Sequence, residues 1–219
     1  MVKFMYAVWG SGVAAAGIAA DLRAAGADRV QINIGGTPEL EGAMTLSTFA
    51  PPIAAVISVW TDDDPAGVTD VLAGKTERIV GWEVVERRPI DPPPTPDGEP
   101  AEAMANVAFL RRPASIDRDE WLRRWLDDHT PVAIATQATS GYIQNIVQRP
   151  VTETPEHVDA IVEELFPLAA AHDPHAFYGS GGDDAELTRR MTAMLDSVVA
   201  IGAHENIDVV PTRRFVFGS

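Results

Sequence analysis

Apolar residues recur along this chain in two patterns, one typical of strands and one typical of helices. Short runs rich in β-branched and aromatic residues alternate with stretches in which apolar side chains return every three or four positions. The first half therefore predicts the order strand, helix, strand, strand, helix, strand. These elements are predicted at residues 3–9, 13–25, 30–34, 53–60, 65–72 and 79–88.

The same order begins again after a proline-rich segment. Residues 89–100 include three consecutive prolines and predict an extended linker, because proline disfavours both helices and central strands. The second half predicts elements at residues 106–112, 117–129, 142–148, 159–165, 187–199 and 209–217. We therefore divide the chain into a first repeat at 1–90, a linker at 91–104 and a second repeat at 105–219.

The repeated order predicts the fold. A βαββαβ unit forms a four-stranded antiparallel sheet with helices on one face, so its other face must also be covered. Packing two such sheets against each other solves this within one polypeptide. The sequence predicts an α+β protein of two fused ferredoxin-like repeats that form an intramolecular dimeric α+β barrel, with a ligand cavity between the sheets.

Composition narrows the partners and the location. The chain of 219 residues has 32 acidic and 17 Lys and Arg residues, a net charge of -15, which disfavours nucleic acid and anionic lipid surfaces. It has no cysteine, which excludes disulfides and thiolate sites. The apolar stretch after Lys3 has the outline of a signal peptide, but Gly10, Ser11 and Gly12 interrupt it. We expect a cytoplasmic protein that does not bind membranes.

The most informative helix is the one predicted at residues 117–129. Its residues Trp121, Trp125 and His129 are spaced four apart and share one face. Thr130 and Pro131 are expected to end the helix. A helix C-terminus favours a charged imidazole and burial favours a neutral one, so we expect the His129 proton to be poised near the working pH.

The other histidines give no metal site. His172 and His175 flank Asp173 and Pro174, but Pro174 is expected to break any helix that would bring them together. We interpret them as loop residues and expect neither a metal nor a cofactor.

Three segments resemble a known family. The motif W-L-x-x-H-T-P-V at residues 125–132, residues 141–145 and residues 159–163 together with Phe166 resemble the EthD family of dimeric α+β barrels. The resemblance extends over about residues 107–217. That family includes small polyketide cyclases, pigment dehydratases and cofactor-free monooxygenases. The first half has no histidine, so the resemblance implies a site in the second half.

The resemblance implies a cofactor-free lyase, a dehydratase or an aldol-type cyclase, acting on a small, largely apolar or aromatic carbonyl compound. It implies His129 as general base and Glu163 as the strand acid, with Tyr142 holding an enol oxygen. The residues expected to bind substrate are Gln144, Trp125, Trp121, Trp60, Trp9, Phe109 and Asn33.

Other interpretations stay open. A cofactor-independent monooxygenase would use the same cavity, and a non-catalytic small-molecule binding protein could hold haem with His129 as axial ligand. His129 could also be a satisfied core residue, and Glu163 could form an ion pair with Arg213 or Arg214. The expected partner is a small-molecule substrate, and a homodimer of the two-repeat chain is compatible with this fold.

Overall fold

The computed structural model describes residues 1–10, 13–62, 64–153 and 157–218, whose strands form a closed antiparallel barrel. The strands are β1 (Val2–Trp9), β2 (Arg29–Gly35), β3 (Ala55–Thr61), β4 (Arg78–Ile90), β5 (Pro100–Leu110), β6 (Gly141–Pro150), β7 (Ala160–Phe166) and β8 (Asp208–Phe217). Around the barrel they follow the order β1-β3-β2-β8-β5-β7-β6-β4, and β4 pairs with β1. The predicted α+β class and barrel are confirmed.

The helices lie outside the barrel wall. They are α1 (Ala15–Ala24), α2 (Ala66–Lys75), α3 (Arg118–Arg123), α4 (Thr130–Thr136), α5 (Pro174–Tyr178) and α6 (Asp184–Ala200). A π-helical turn (Arg124–His129) joins α3 to α4, and 3₁₀ turns occupy Pro38–Leu40 and Leu168–Ala171. Within the described residues, no helix is both long and apolar enough to cross a membrane.

Both halves of the barrel have the same strand order. Counted within its own half, each sheet runs fourth, first, third, second strand. The two sheets join where β2 pairs with β8 and where β4 pairs with β6, both antiparallel.

Strand alternation separates the inside of the barrel from the helix layer. In β1, Met5, Ala7 and Trp9 belong to the interior cluster, whereas Phe4 and Tyr6 pack in the layer under α1 and α2. Because both faces are covered, β1 is buried almost throughout and its sequence is apolar at nearly every position.

Aromatic side chains fill the middle of the barrel. The ring of Phe49 lies 5.3 Å from that of Trp9 and 5.9 Å from that of Phe109, and Trp82 lies 5.8 Å from Phe109. An eight-stranded barrel has an interior just wide enough for side chains. At this level the space between the two sheets is therefore packed, where the sequence had led us to expect a ligand cavity.

The helix that carries His129 does not end at Thr130 and Pro131, so that prediction is wrong. The chain passes through the π-helical turn and continues as α4. The backbone N–H of Thr130 and its hydroxyl both donate to the carbonyl of Trp125, the latter at 2.9 Å. The wider turn accommodates a proline that has no N–H to donate. His129 consequently lies in the middle of a helical segment.

The proline-rich segment crosses one end of the barrel. Strand β5 begins at Pro100, inside the range 91–104 that the sequence assigned to a linker. Pro92 packs so closely on Gly141 that a Cβ there would lie 2.9 Å from the Pro92 Cα. The N–H of Gly98 donates to the carbonyl of Val216 at 2.8 Å. The segment thus connects the β4, β6 and β8 sides of this end.

Candidate active site

A cavity of about 660 Å³ lies between the second-half sheet and its helices, outside the barrel wall. Its floor is formed by β5, β6, β7 and β8 and its roof by α6. The floor residues include Asn106, Ala108, Tyr142, Val162, Glu164 and Val209, and the roof residues Met191, Met194, Leu195 and Val198. In the first half an apolar cluster fills the corresponding layer between the sheet and helices α1 and α2.

Three polar floor residues form one row across the sheet. Glu164 on β7 pairs directly with Asn106 on β5 and with Tyr142 on β6. Side chains opposite each other on neighbouring strands have Cβ atoms about 5 Å apart and point to the same face. The row therefore presents a carboxyl between an amide and a phenol, all of which line the cavity.

Glu164 is the residue of this row that is best suited to proton transfer. Its Oε1 is shielded from solvent and has no hydrogen-bond partner among the described residues. Burial raises the pKa of this carboxyl to about 7. A carboxyl with that pKa can take up or release a proton near neutral pH, as a general base or acid must.

The charge of Glu164 affects the pKa of two nearby tyrosines. Burial raises the pKa of Tyr142 well above its ordinary value, and the Glu164 charge raises it further. Side-chain hydrogen bonds with Thr130, Trp125 and Gln144 lower it in part. Burial and the Glu164 charge likewise raise the pKa of Tyr178. Both phenols are therefore neutral hydrogen-bond donors at neutral pH.

Further polar atoms at the cavity also lack partners among the described residues. They are Asn106 Oδ1 and Gln137 Oε1. Buried polar atoms are normally hydrogen-bonded, so each orphan calls for an explanation. Several such atoms around one apolar cavity indicate a binding site for a ligand that has polar groups of its own.

His129 lines the same cavity in the neutral form. Its side chain is buried, and its Nδ1 lies 2.9 Å from the hydroxyl of Ser197 on α6. Burial lowers the pKa of His129 to about 4. The expectation of a proton poised near the working pH is corrected, because the ring is buried and does not lie at a helix C-terminus.

We expect the burial of His129 to make the protein less stable in acid. Its pKa is about 4 in the folded protein against 6.5 for a free side chain, so the unfolded chain binds the extra proton first. Folding stability should therefore fall by about 3 kcal/mol as the pH drops from about 6.5 to 4. In His129→Gln this part of the decline should be absent, measured by urea unfolding at several pH values. An unchanged slope would contradict a neutral buried ring.

Glu163 lies on the opposite face of β7, inside the barrel. Its Oε1 is 2.8 Å from Lys3 Nζ and 3.1 Å from Asn145 Nδ2, and Gln31 donates to its Oε2. Burial alone would raise its pKa, but the charge and hydrogen bond of Lys3 hold the pKa at about 2. Adjacent strand residues point to opposite faces, so Glu163 does not share the cavity with His129.

The remaining predicted residues fall into two groups. Trp9, Trp60, Phe109 and Asn33 lie inside the barrel and therefore apart from the cavity. Trp121 and Gln144 support the cavity wall. Trp121 stacks on Trp125 at 5.5 Å, and Gln144 Nε2 donates to Thr130 Oγ1 at 2.7 Å.

Of the predicted site residues, His129, Tyr142 and Trp125 line the cavity. Sequence reasoning missed Glu164, Asn106 and Tyr178. A signal for Glu164 was its place beside Glu163, since one of two adjacent acidic residues on a strand must face the helix layer. The pairing of β5, β6 and β7, which decides what surrounds it, was not readable from alternation alone.

Comparisons with known proteins place the fold. No protein-family model and no curated protein sequence matches the chain. A structure described as an anthrone oxidase-like protein matches with TM-score 0.53 and 11% identity, covering 100% of this chain and 94% of that one. A "putative monooxygenase" from Lactobacillus acidophilus NCFM matches with TM-score 0.50 and 4% identity, covering 99% and 95%. These likenesses show the fold.

The lyase expectation is corrected by these neighbours. Both are described by oxidative activities, an oxidase-like protein and a monooxygenase, and neither as a dehydratase or cyclase. With its pKa lowered to about 4, His129 is unprotonated near neutral pH but is a weaker base than the Glu164 carboxylate, whose pKa is about 7.

Proposed function

We propose that this protein is a cofactor-independent oxygenase that acts on a small, largely apolar aromatic compound with an acidic C–H group. The observation that carries the proposal is the Glu164 carboxyl, whose pKa of about 7 makes it an effective base in a cavity lined mostly by apolar side chains. The oxidative names of the two structural neighbours support the same chemistry.

The proposed reaction begins with proton removal by Glu164. A methylene next to carbonyl or aryl groups loses a proton and becomes a carbanion, which can transfer electrons to O₂ without a metal. A carbon–oxygen bond forms, and the peroxide anion takes the proton back from Glu164. The resulting hydroperoxide loses water to leave a carbonyl. For anthrone the balance is C₁₄H₁₀O plus O₂ giving anthraquinone, C₁₄H₈O₂, and H₂O. The methylene carbon is oxidised by four electrons and O₂ is reduced by four.

The residues around Glu164 have matching roles in this proposal. The neutral phenols of Tyr142 and Tyr178 donate hydrogen bonds to the substrate oxygen on which negative charge develops. The neutral ring of His129, tied to Ser197, and the Trp125 indole shape the wall. The apolar roof excludes water, which strengthens these electrostatic interactions.

We further infer that the chain is an EthD-like protein that arose by duplication of a ferredoxin-like unit. The identical strand order of the two halves supports this, as does the position of His129 and its motif beside the cavity. In this interpretation the first repeat became a packed scaffold and the second kept the site.

An oxygen-electrode assay with anthrone tests the function. The purified protein should consume one O₂ for each anthrone converted to anthraquinone, at least ~10-fold faster than heat-denatured protein, without released hydrogen peroxide. A visible spectrum of the same sample checks for haem or flavin. Oxygen uptake no faster than in the denatured control, or uptake that requires an added flavin, would overturn the proposal.

A further inference from the structure

Cationic side chains converge at the end of the barrel that the proline-rich segment crosses. Lys3, Arg29, Arg88 and Arg214 come from four strands. Besides burial, the charge of Arg88 lowers the pKa of Arg29, and the charges of Arg29 and Arg88 lower the pKa of Arg214. This cluster faces the barrel interior, so it is separated by the sheet from the cavity that contains Glu164. It does not depend on the proposed oxygenase activity.

The carboxylates at this end are already engaged by two of the four cations. Lys3 Nζ lies 2.6 Å from Glu86 and 2.8 Å from Glu163. Arg88 lies 2.7 Å from Glu86, with exposed Asp91 3.8 Å away. Arg29 and Arg214 form no ion pair within 4.0 Å among the described residues.

Arg214 is the most unusual member of the cluster. Its side chain is only 2% exposed, and its Nη1 donates to Thr95 of the proline-rich segment at 3.1 Å. Its Nε has no hydrogen-bond partner among the described residues. Burial lowers the pKa of this guanidinium, and the charges of Arg29 and Arg88 add to that effect, whereas Glu163 and Glu86 oppose it. A buried guanidinium normally has a paired carboxylate or phosphate.

Arg29 is the second cation of the cluster that has no ion pair among the described residues. Its guanidinium lies 4.4 Å from the centroid of the Trp60 ring, and its Nε is also without a partner in the described part of the chain. Lys3 lies 4.8 Å from the same ring centroid. Arg29 is half-buried and Arg88 is partly exposed, so the cluster reaches the protein surface.

We propose that this end of the barrel binds a small oxyanion, a carboxylate or phosphate group, between Arg29 and Arg214. An oxyanion there accepts hydrogen bonds from guanidinium groups, whose planar N–H pairs match two oxygens of a carboxylate or phosphate. A carboxylate offsets one of the two guanidinium charges that lack an ion pair, and dianionic phosphate offsets both. In a chain with a net charge of -15, such local excess of positive charge is otherwise unexplained.

Titration of the purified full-length chain with inorganic phosphate tests this site. Binding is measured by calorimetry and by the broadening of the phosphate ³¹P resonance, with sodium chloride at equal ionic strength as background. Acetate is titrated in parallel and decides whether carboxylate or phosphate binds more tightly. Arg214→Gln and Arg29→Gln should each raise the dissociation constant of the better anion at least ~10-fold.

Arg189→Gln provides the matched control, because this exposed arginine on α6 is paired with Glu186 away from the barrel end. It should bind the anion as the wild type does. If Arg214→Gln does not fold, the half-buried Arg29→Gln decides the outcome. The proposal is overturned if neither anion binds beyond the chloride background. It is equally overturned if the folded Arg variants bind as tightly as the wild type.

Discussion

Replacing Glu164 by Gln should lower kcat/KM for anthrone oxidation by about 10²- to 10⁴-fold, the usual contribution of a positioned general base. Gln keeps the shape of Glu164 but cannot accept a proton from carbon. In the wild type, kcat/KM should rise with pH through an apparent pKa of about 7, as the carboxyl ionises. Initial rates of oxygen uptake across this pH range measure both effects.

The fold should survive this change. Burial raises the pKa of Glu164 from its ordinary 4.5 to about 7, so the unfolded chain releases this proton at a lower pH than the folded protein does. The wild type therefore loses stability as the pH rises from about 4.5 through 7. Glu164→Gln should therefore be at least as stable as the wild type at pH 8 in a urea melt. A stable variant that keeps full activity would show that Glu164 is not the base.

Replacing the neighbouring Glu163 by Gln should have the opposite profile. We expect a loss of about 3 kcal/mol in the free energy of unfolding at pH 7, because Lys3 stays buried with only Glu86 to balance its charge. Anthrone turnover per folded molecule should change little, since Glu163 lies on the other face of β7. Urea unfolding measures the loss of stability, and initial rates of oxygen uptake measure the turnover.

The same variant should alter the acid side of the stability curve. The pKa of Glu163 is held at about 2 against an ordinary 4.5, so its contribution is present above pH 4.5 and is lost as the pH falls towards 2. Glu163→Gln should lack this component of acid unfolding. Glu102→Gln, an exposed change on β5, serves as control and should keep it. If the free energy of unfolding falls equally in Glu163→Gln and wild type between pH 4.5 and 2, the buried ion pair is contradicted.

Hydrophobic patterning was sufficient for the strands and for most helices. The predicted strands at 53–60 and 159–165 match β3 and β7 to within two residues at each end, because each contains a short apolar run whose length and β-branched residues favour a strand. The patterning could not reveal the π-helical turn before Thr130. Proline usually interrupts a helix, and only the surrounding packing allows the chain to continue past it.

The site was harder to predict because its composition depends on contacts between distant segments. Trp125 and His129 were identified from helical spacing, and both line the cavity. The choice between Glu163 and Glu164 depends on which face of β7 meets the helices. A shift of one residue exchanges every side chain between faces, and the sequence does not fix that register when both faces are buried.

Helix α6 covers the cavity with little buried apolar surface, although Met194 and Val198 pack against the second-half core and Ser197 contacts His129. None of its 17 described residues is buried, and Met191, Leu195 and Val199 are 44%, 59% and 48% exposed. Elements with little apolar burial open locally at low free-energy cost. A ligand bound in the cavity beneath α6 would give the inner side of the helix an apolar surface to pack against. Binding of a ligand should therefore also order this helix.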